Sequence, residues 1–280
     1  MKPSFHTGDG LSLHARHWPA AAPPRGTVLV VHGLGEHVGR YANVAQSLND
    51  LGWSVVGYDH RGHGRSEGAR GSLKAGDDLV RDLAVAIDAV RADHAGPLVL
   101  LGHSLGGLIA ARFVAEGLAA APAGWWRPVG ALVLSSPALD PGMHVVQRLM
   151  LAVAGSLAPD LAVSNGLKPA WISRDPGVVQ AYSADPLVHD RVTPRLVRFI
   201  VDGGAYALAM APRWSVPTLL MYAGSDRCVA PRGSAAFAAR APRGVVETCE
   251  FAPLFHEIFN EPEQAEVFAT LAAWLAGRAH

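Results

Sequence analysis

The sequence predicts an α/β fold, a mostly parallel sheet with helices on both faces and a helical insertion, on three observations. Short unbroken apolar runs at 27–31, 54–58, 97–101, 131–134, 217–222 and 245–251 read as strands mostly buried on both sides, the form parallel sheets take. Helical patterns fall between them: Leu79, Leu83, Ile87 and Val90 share one face, and Asp78, Arg81, Asp82 and Asp88 lie largely off it. From 137 the rhythm stops, and Val145, Leu149 and Val153 recur at helical spacing among prolines, with no clear strand until 217. Residues 1–136 and 216–280 therefore read as a core and 137–215 as a helical cap on it, one structural domain overall. An insertion this short that returns directly to a strand has no room for a large core of its own.

Ahead of the parallel strands, 12–18 roughly alternates after the Asp9-Gly10 turn signal and pairs with 4–7 as an antiparallel hairpin; 19–24 is a surface loop. At the other end, 262–275 carries Ala265, Phe268, Leu271 and Leu275 on one face, a last helix packed on the sheet. A chain of 280 residues, 50% hydrophobic and 17% charged, buries roughly 73% of its unfolded surface and needs neither disulfide nor metal for a core. Lys+Arg and Asp+Glu number 24 each, and with no basic run a nucleic-acid partner is not expected. Cys228 and Cys249 are too few for a disulfide framework and lack zinc-site spacing, which fits a reducing compartment. No apolar stretch near Met1 is long enough for a signal peptide, and the longest charge-free run, 94–111, is broken by Gly96, Pro97 and Gly102. A soluble cytoplasmic protein is the expectation.

The strand at 97–101 runs into Gly102-His103-Ser104-Leu105-Gly106, G-x-S-x-G ahead of a helix-capable segment. A serine at that sharp turn presents its hydroxyl at the top of the sheet, and a helix beginning at Leu105 aims free N–H groups at it. A serine that merely caps the helix is the plainer reading, but it does not require glycine on both sides. A nucleophilic serine needs a base and an acid from later strand ends. Asp226 stands in the loop after 217–222 and His256 in the loop after 245–251, both at carboxyl edges, where open α/β sheets bind ligands. Asp140, after 131–134, is the competing acid, although Asp140-Pro141-Gly142 reads more simply as a turn. The other histidines, terminal His280 among them, read as surface or packing residues.

His32-Gly33-Leu34 follows the first long strand, where a second oxyanion donor belongs, so Leu34 N–H joins Leu105 N–H as the candidate pair. The rival reading is a dinucleotide site on Gly33, Gly35 and Gly39 with Asp59 on the next strand; its G-x-G-x-x-x-G is one residue longer than the fingerprint. In 58–68, His60 and His63 lack a third spaced metal ligand, and the glycines lack the Lys-Ser/Thr ending of a phosphate loop. Tight turns with internal Arg–Asp hydrogen bonds are the preferred explanation.

His32-Gly33-Leu34-Gly35-Glu36-His37, 59–68 and 102–107 resemble, in order, the monoacylglycerol lipase and lysophospholipase family of α/β-hydrolases. The likeness continues through Ser173-Arg174-Asp175-Pro176, 181–188, Gly224-Ser225-Asp226 and Phe255-His256-Glu257, nearly the whole chain. The resemblance implies an α/β-hydrolase fold and hydrolysis of a small lipid ester through an acyl-enzyme, with Ser104, His256 and Asp226 as catalytic residues and no metal or other cofactor. It also implies an apolar tunnel under the cap, with Glu36, Arg40 and Tyr182 near the glycerol end. A helix-face pair at i,i+4 is the alternative for Glu36 and Arg40, and cap packing for Tyr182. A lysophospholipase or short-chain carboxylesterase on the same triad, and a non-catalytic scaffold binding an apolar ligand or partner, stay open. Cys228 matches a family position near the site, which implies thiol sensitivity; buried and inert is the plainer expectation for both cysteines. Leu149, Met150 and Val153 suit tunnel lining, transient membrane-surface contact through the cap, or core packing, with packing the default.

Overall fold

The computed structural model describes residues 2–21, 23–143 and 145–277; His144 and His280, both assigned to surface or packing, and the side chain of Val145 lie outside the described residues. In chain order the strands are β1 (Ser4–His6), β2 (Ser12–Trp18), β3 (Thr27–Val31), β4 (Ser54–Tyr58), β5 (Leu98–His103), β6 (Ala131–Ser135), β7 (Val163–Ser164), β8 (Arg191–Val192), β9 (Thr218–Ala223) and β10 (Val246–Phe251). The helices are α1 (Ala42–Asp50), α2 (Asp78–Asp93), α3 (Leu105–Glu116), α4 (Val145–Leu157), α5 (Pro176–Ala184), α6 (Pro194–Met210), α7 (Pro231–Arg240) and α8 (Gln264–Ala276). The main sheet has the order β1-β2-β4-β3-β5-β6-β9-β10. Its strands from β4 to β10 are parallel, and the hairpin β1-β2 closes one side antiparallel to β4.

Side chains alternate across this sheet into two cores. Leu29, Val31, Leu100 and Leu132 meet Leu83, Ile87, Leu108 and Phe199 from α2, α3 and α6. Val28, Val30, Val99 and Leu101 meet Leu48 of α1 and Leu271 of α8 on the other side. At about 1.5–3 kcal/mol for each large apolar side chain withdrawn from water, these layers dominate the stabilisation. With both faces covered, the strands read as continuous apolar runs rather than alternating ones.

Three expectations are corrected. β10 is the last strand of the sheet, so Glu247, Thr248 and Glu250 are exposed where a strand mostly buried on both sides was expected. In α8 the buried stripe is Val267, Leu271, Trp274 and Leu275, while Ala265 is exposed; the helix is rotated so that Trp274 fills the core. The segment between β6 and β9, read as strand-free, contains the antiparallel pair β7-β8, which joins Val163 to Val192 and Ser164 to Arg191. Strands of two residues are too short to show a period.

In that segment α6 packs on α3, but α4 turns its apolar side outward. Leu149, Met150 and Val153 are 66%, 64% and 52% exposed, which overturns core packing as their default, and Leu157 on the same helix is 81% exposed. Among the described residues no helix is long and apolar enough to cross a membrane.

Candidate active site

β5 ends at His103 and α3 begins at Leu105, leaving Ser104 alone to make the turn at φ +52°, ψ −118°. That left-handed conformation is costly for a residue with a side chain and is held by its surroundings. The flanking glycines supply the room. A Cβ at Gly106 would lie 1.9 Å from the Val31 carbonyl oxygen, and one at Gly102 would lie 2.5 Å from that of Gly106.

Ser104 Oγ lies 2.8 Å from His256 Nε2, and His256 Nδ1 lies 2.6 Å from Asp226 Oδ2. With its proton on Nδ1, the imidazole donates to the carboxylate and accepts from the hydroxyl. The other Asp226 oxygen accepts from the N–H groups of Cys228 (2.8 Å) and Val229 (3.0 Å), which fixes the carboxylate. Burial opposes charge on His256, but Asp226, joined by Glu257 and Glu36, outweighs it and raises the pKa above its ordinary value. For Asp226 burial works upward and His256 downward, with a net lowering. Both shifts favour the ion pair. Asp140, the competing acid, is engaged with Arg232 Nε (2.7 Å) and Gly142 N–H (2.8 Å) at the entrance to the insertion.

Leu34 N–H and Leu105 N–H have no hydrogen-bond partner among the described residues, and Leu34 lines the same cleft as Ser104. The Leu34 loop is built to stay there. Gly33 N–H donates to Glu36 Oε1 (2.6 Å), His32 Nδ1–H to the Gly33 carbonyl (2.8 Å), and His60 N–H to His32 Nε2 (2.9 Å). Burial drives the pKa of His32 and His60 well below the ordinary value, so these rings brace as neutral imidazoles. The same contacts oppose a dinucleotide at these glycines: a Cβ on Gly33 would lie 3.2 Å from Ser104 Cβ, and one on Gly35 would lie 2.2 Å from the His189 carbonyl oxygen. Within the 58–68 loop Arg65 N–H donates to Asp59 Oδ2 (2.9 Å), an internal Arg–Asp bond of the kind expected, whereas the Arg61 guanidinium points out of it. Arg61 reaches Asp82 (2.6 Å) and Asp78 (2.9 Å) on α2 and Asp9 in the hairpin, because the loop packs across both.

Glu36 and Arg40 pair at 2.7 Å, but Glu36 precedes the single short turn that holds Arg40, so this is not a helix-face pair. Tyr41 O–H also donates to Glu36 (2.7 Å), and Arg40 grips both oxygens of Glu257 (2.6 and 2.7 Å) while its guanidinium lies 4.8 Å from the centre of the Tyr182 ring. Glu257 and His103 were not singled out in the sequence; adjacency to His256 and Ser104 was the only available signal. The His103 ring lies 4.7 Å from that of His256, and burial lowers its pKa to about 4, so it stays neutral beside the titrating ring. Both cysteines are half-buried rather than fully buried, and burial, with Asp226 next, keeps the Cys228 thiol protonated.

A cleft of about 450 Å³ lies between the carboxyl edge of the sheet and the insertion. Leu34, Ser104 and His256 form its floor, and Pro169, Ile172 and Tyr182 its opposite wall.

The family described as serine aminopeptidase S33 matches residues 22–263. A monoacylglycerol lipase of Mycolicibacterium smegmatis is 36% identical over 97% of this chain and 95% of its own. The chain belongs to the monoacylglycerol lipase family of α/β-hydrolases. Phospholipase YtpA of Bacillus subtilis is 31% identical over 92% of this chain and 97% of its own. The crystal structure of a Paleococcus ferrophilus monoacylglycerol lipase superposes with a TM-score of 0.83 at 34% identity, covering 95% of this chain and 98% of that one. The protein is thus a serine hydrolase, and the scaffold and dinucleotide readings fall away.

Proposed function

We propose that this serine hydrolase cleaves monoacylglycerol-like lipid esters in the cytoplasm, with 137–215 as a cap over the site. The observation that carries the reading is His256 within hydrogen-bond distance of both Ser104 and Asp226 at the floor of a cleft walled by apolar Pro169 and Ile172. Ser104 Oγ attacks the ester carbonyl as His256 Nε2 takes its proton, and Asp226 stabilises the imidazolium. Leu34 N–H and Leu105 N–H hold the oxyanion. His256 returns the proton to the leaving alcohol, which departs past Glu36, Arg40 and Tyr182, and then activates the water that cleaves the acyl-enzyme. The M. smegmatis and P. ferrophilus relatives, both monoacylglycerol lipases, support the substrate class.

A second reading, lysophospholipid hydrolysis, is favoured by Lys168: it lines the cleft with no carboxylate partner among the described residues, suited to a phosphate headgroup. Ratios of kcat/KM separate the two. Monoacylglycerol is expected to exceed the lysophospholipid of equal chain length by at least about tenfold, because Lys168 shares the cleft lining with the carboxylates of Glu36, Asp185 and Asp190, which disfavour a phosphate there. The reverse order transfers the function to lysophospholipids.

The exposed apolar side of α4 supports transient docking of the cap on a membrane surface. Replacing Leu149 and Leu157 together with serine removes two side chains worth about 1.5–3 kcal/mol each, so vesicle partitioning should weaken by on the order of a hundredfold or more. Hydrolysis of a soluble ester should not change. Unaltered co-sedimentation with phosphatidylcholine vesicles would remove the docking role.

A further inference from the structure

The loop that carries His256 is held on both sides. Before it, Phe255 N–H donates to Glu261 Oε2 (2.9 Å); after it, Glu257 N–H donates to the Ile172 carbonyl (2.8 Å). Glu261 is 0% exposed, and its other bonds run to one stretch of the insertion: Ser173 O–H (2.8 Å), Arg174 N–H (2.5 Å) and Arg174 Nε–H (2.6 Å). A carboxylate offers about four acceptor positions, and this one meets four donors, the Ser173 hydroxyl shared with the Asn260 carbonyl (2.9 Å). Burial would keep Glu261 neutral, but Arg174 and these donors bring its pKa below the ordinary value, so it is ionised. Ile172, which immediately precedes them, lines the cleft.

We propose that Glu261 is a positioning residue for the hydrolysis: it locks the backbone beside His256 to the stretch 172–174, whose Ile172 lines the cleft. The base and the surface the substrate rests on then move as one body, and the 2.8 Å approach of Nε2 to Ser104 survives substrate entry. Fully satisfied buried networks of this kind are rigid. The inference rests on His256 acting as the base.

Glu261→Gln keeps the shape but turns an amide NH2 toward a donor that had faced oxygen. With p-nitrophenyl butyrate, well below the melting temperature, kcat is expected to fall on the order of 10- to 100-fold, as small misplacements of a catalytic group do, with KM within about threefold. The low-field proton resonance of His256 Nδ1–H should shift or broaden. Arg174→Ala keeps the Phe255 bond and removes the half-exposed guanidinium from Glu261, together with its contact to Glu263. It should show the same pattern with a smaller fall, and it decides the matter should Glu261→Gln not fold. Unchanged kcat and an unmoved resonance in a folded variant, whatever the loss in Tm, would make Glu261 purely structural and overturn the inference. His256→Gln separates the two layers. If it stays active, the triad reading fails; if it is inactive while Glu261→Gln is normal, only the positioning role does.

Discussion

Ser104→Ala is expected to lower kcat on a p-nitrophenyl acyl ester by on the order of a millionfold, because the hydroxyl, the imidazole and the carboxylate act as a unit. The variant should fold normally. The backbone at 104 already holds a side chain at φ +52°, and alanine places the same Cβ there without the oxygen that meets His256. What survives is the oxyanion hole and the cleft, worth a residual acceleration of about 10³–10⁴ over water. Stoichiometric fluorophosphonate labelling of the wild type, absent from the variant, reads the same atom independently of any substrate. A rate and labelling equal to wild type would end the mechanism built on this serine.

Asp226→Asn should cost about 10⁴ in kcat, since an amide beside Nδ1 favours the tautomer with its proton on Nε2, facing Ser104 where an acceptor is needed. The pH profile should change with it. In the wild type burial lowers the His256 pKa and Asp226, with Glu257 and Glu36, more than restores it, so kcat/KM rises with pH through a midpoint above the ordinary histidine value. Without that carboxylate burial is opposed by the weaker pull of Glu257 and Glu36, and the residual acid limb should move to lower pH. Asp140→Asn is the control. Its carboxylate is spent on Arg232 and Gly142, so kcat should stay within about twofold of wild type, the range of exposed-pair losses. A fall as large as that of Asp226→Asn would reassign the acid.

Ser104 was legible because its signal is local: a strand, glycines within two residues and a helix. Asp226 and His256 were legible as residues just past apolar runs, although nothing in a linear pattern says that side chains 152 positions apart, as Ser104 and His256 are, meet at 2.8 Å. Local pattern could not separate Asp140 from Asp226 except by turn chemistry, and it is Arg232 at 2.7 Å and Gly142 N–H at 2.8 Å that engage Asp140.

The sequence by itself determined the alternating plan, the parallel core and the sharp strand-to-helix turn at Ser104, because a hydrophobic period and a glycine turn act within a few residues. The tertiary structure alone decided that β10 is an edge, that α4 faces outward, that Arg40 belongs to Glu257, and that Glu261 ties the His256 loop to the insertion. Each of those depends on which surfaces remain uncovered, or which charges meet, once distant segments have packed. That is a property of the assembled sheet and of no window along the chain.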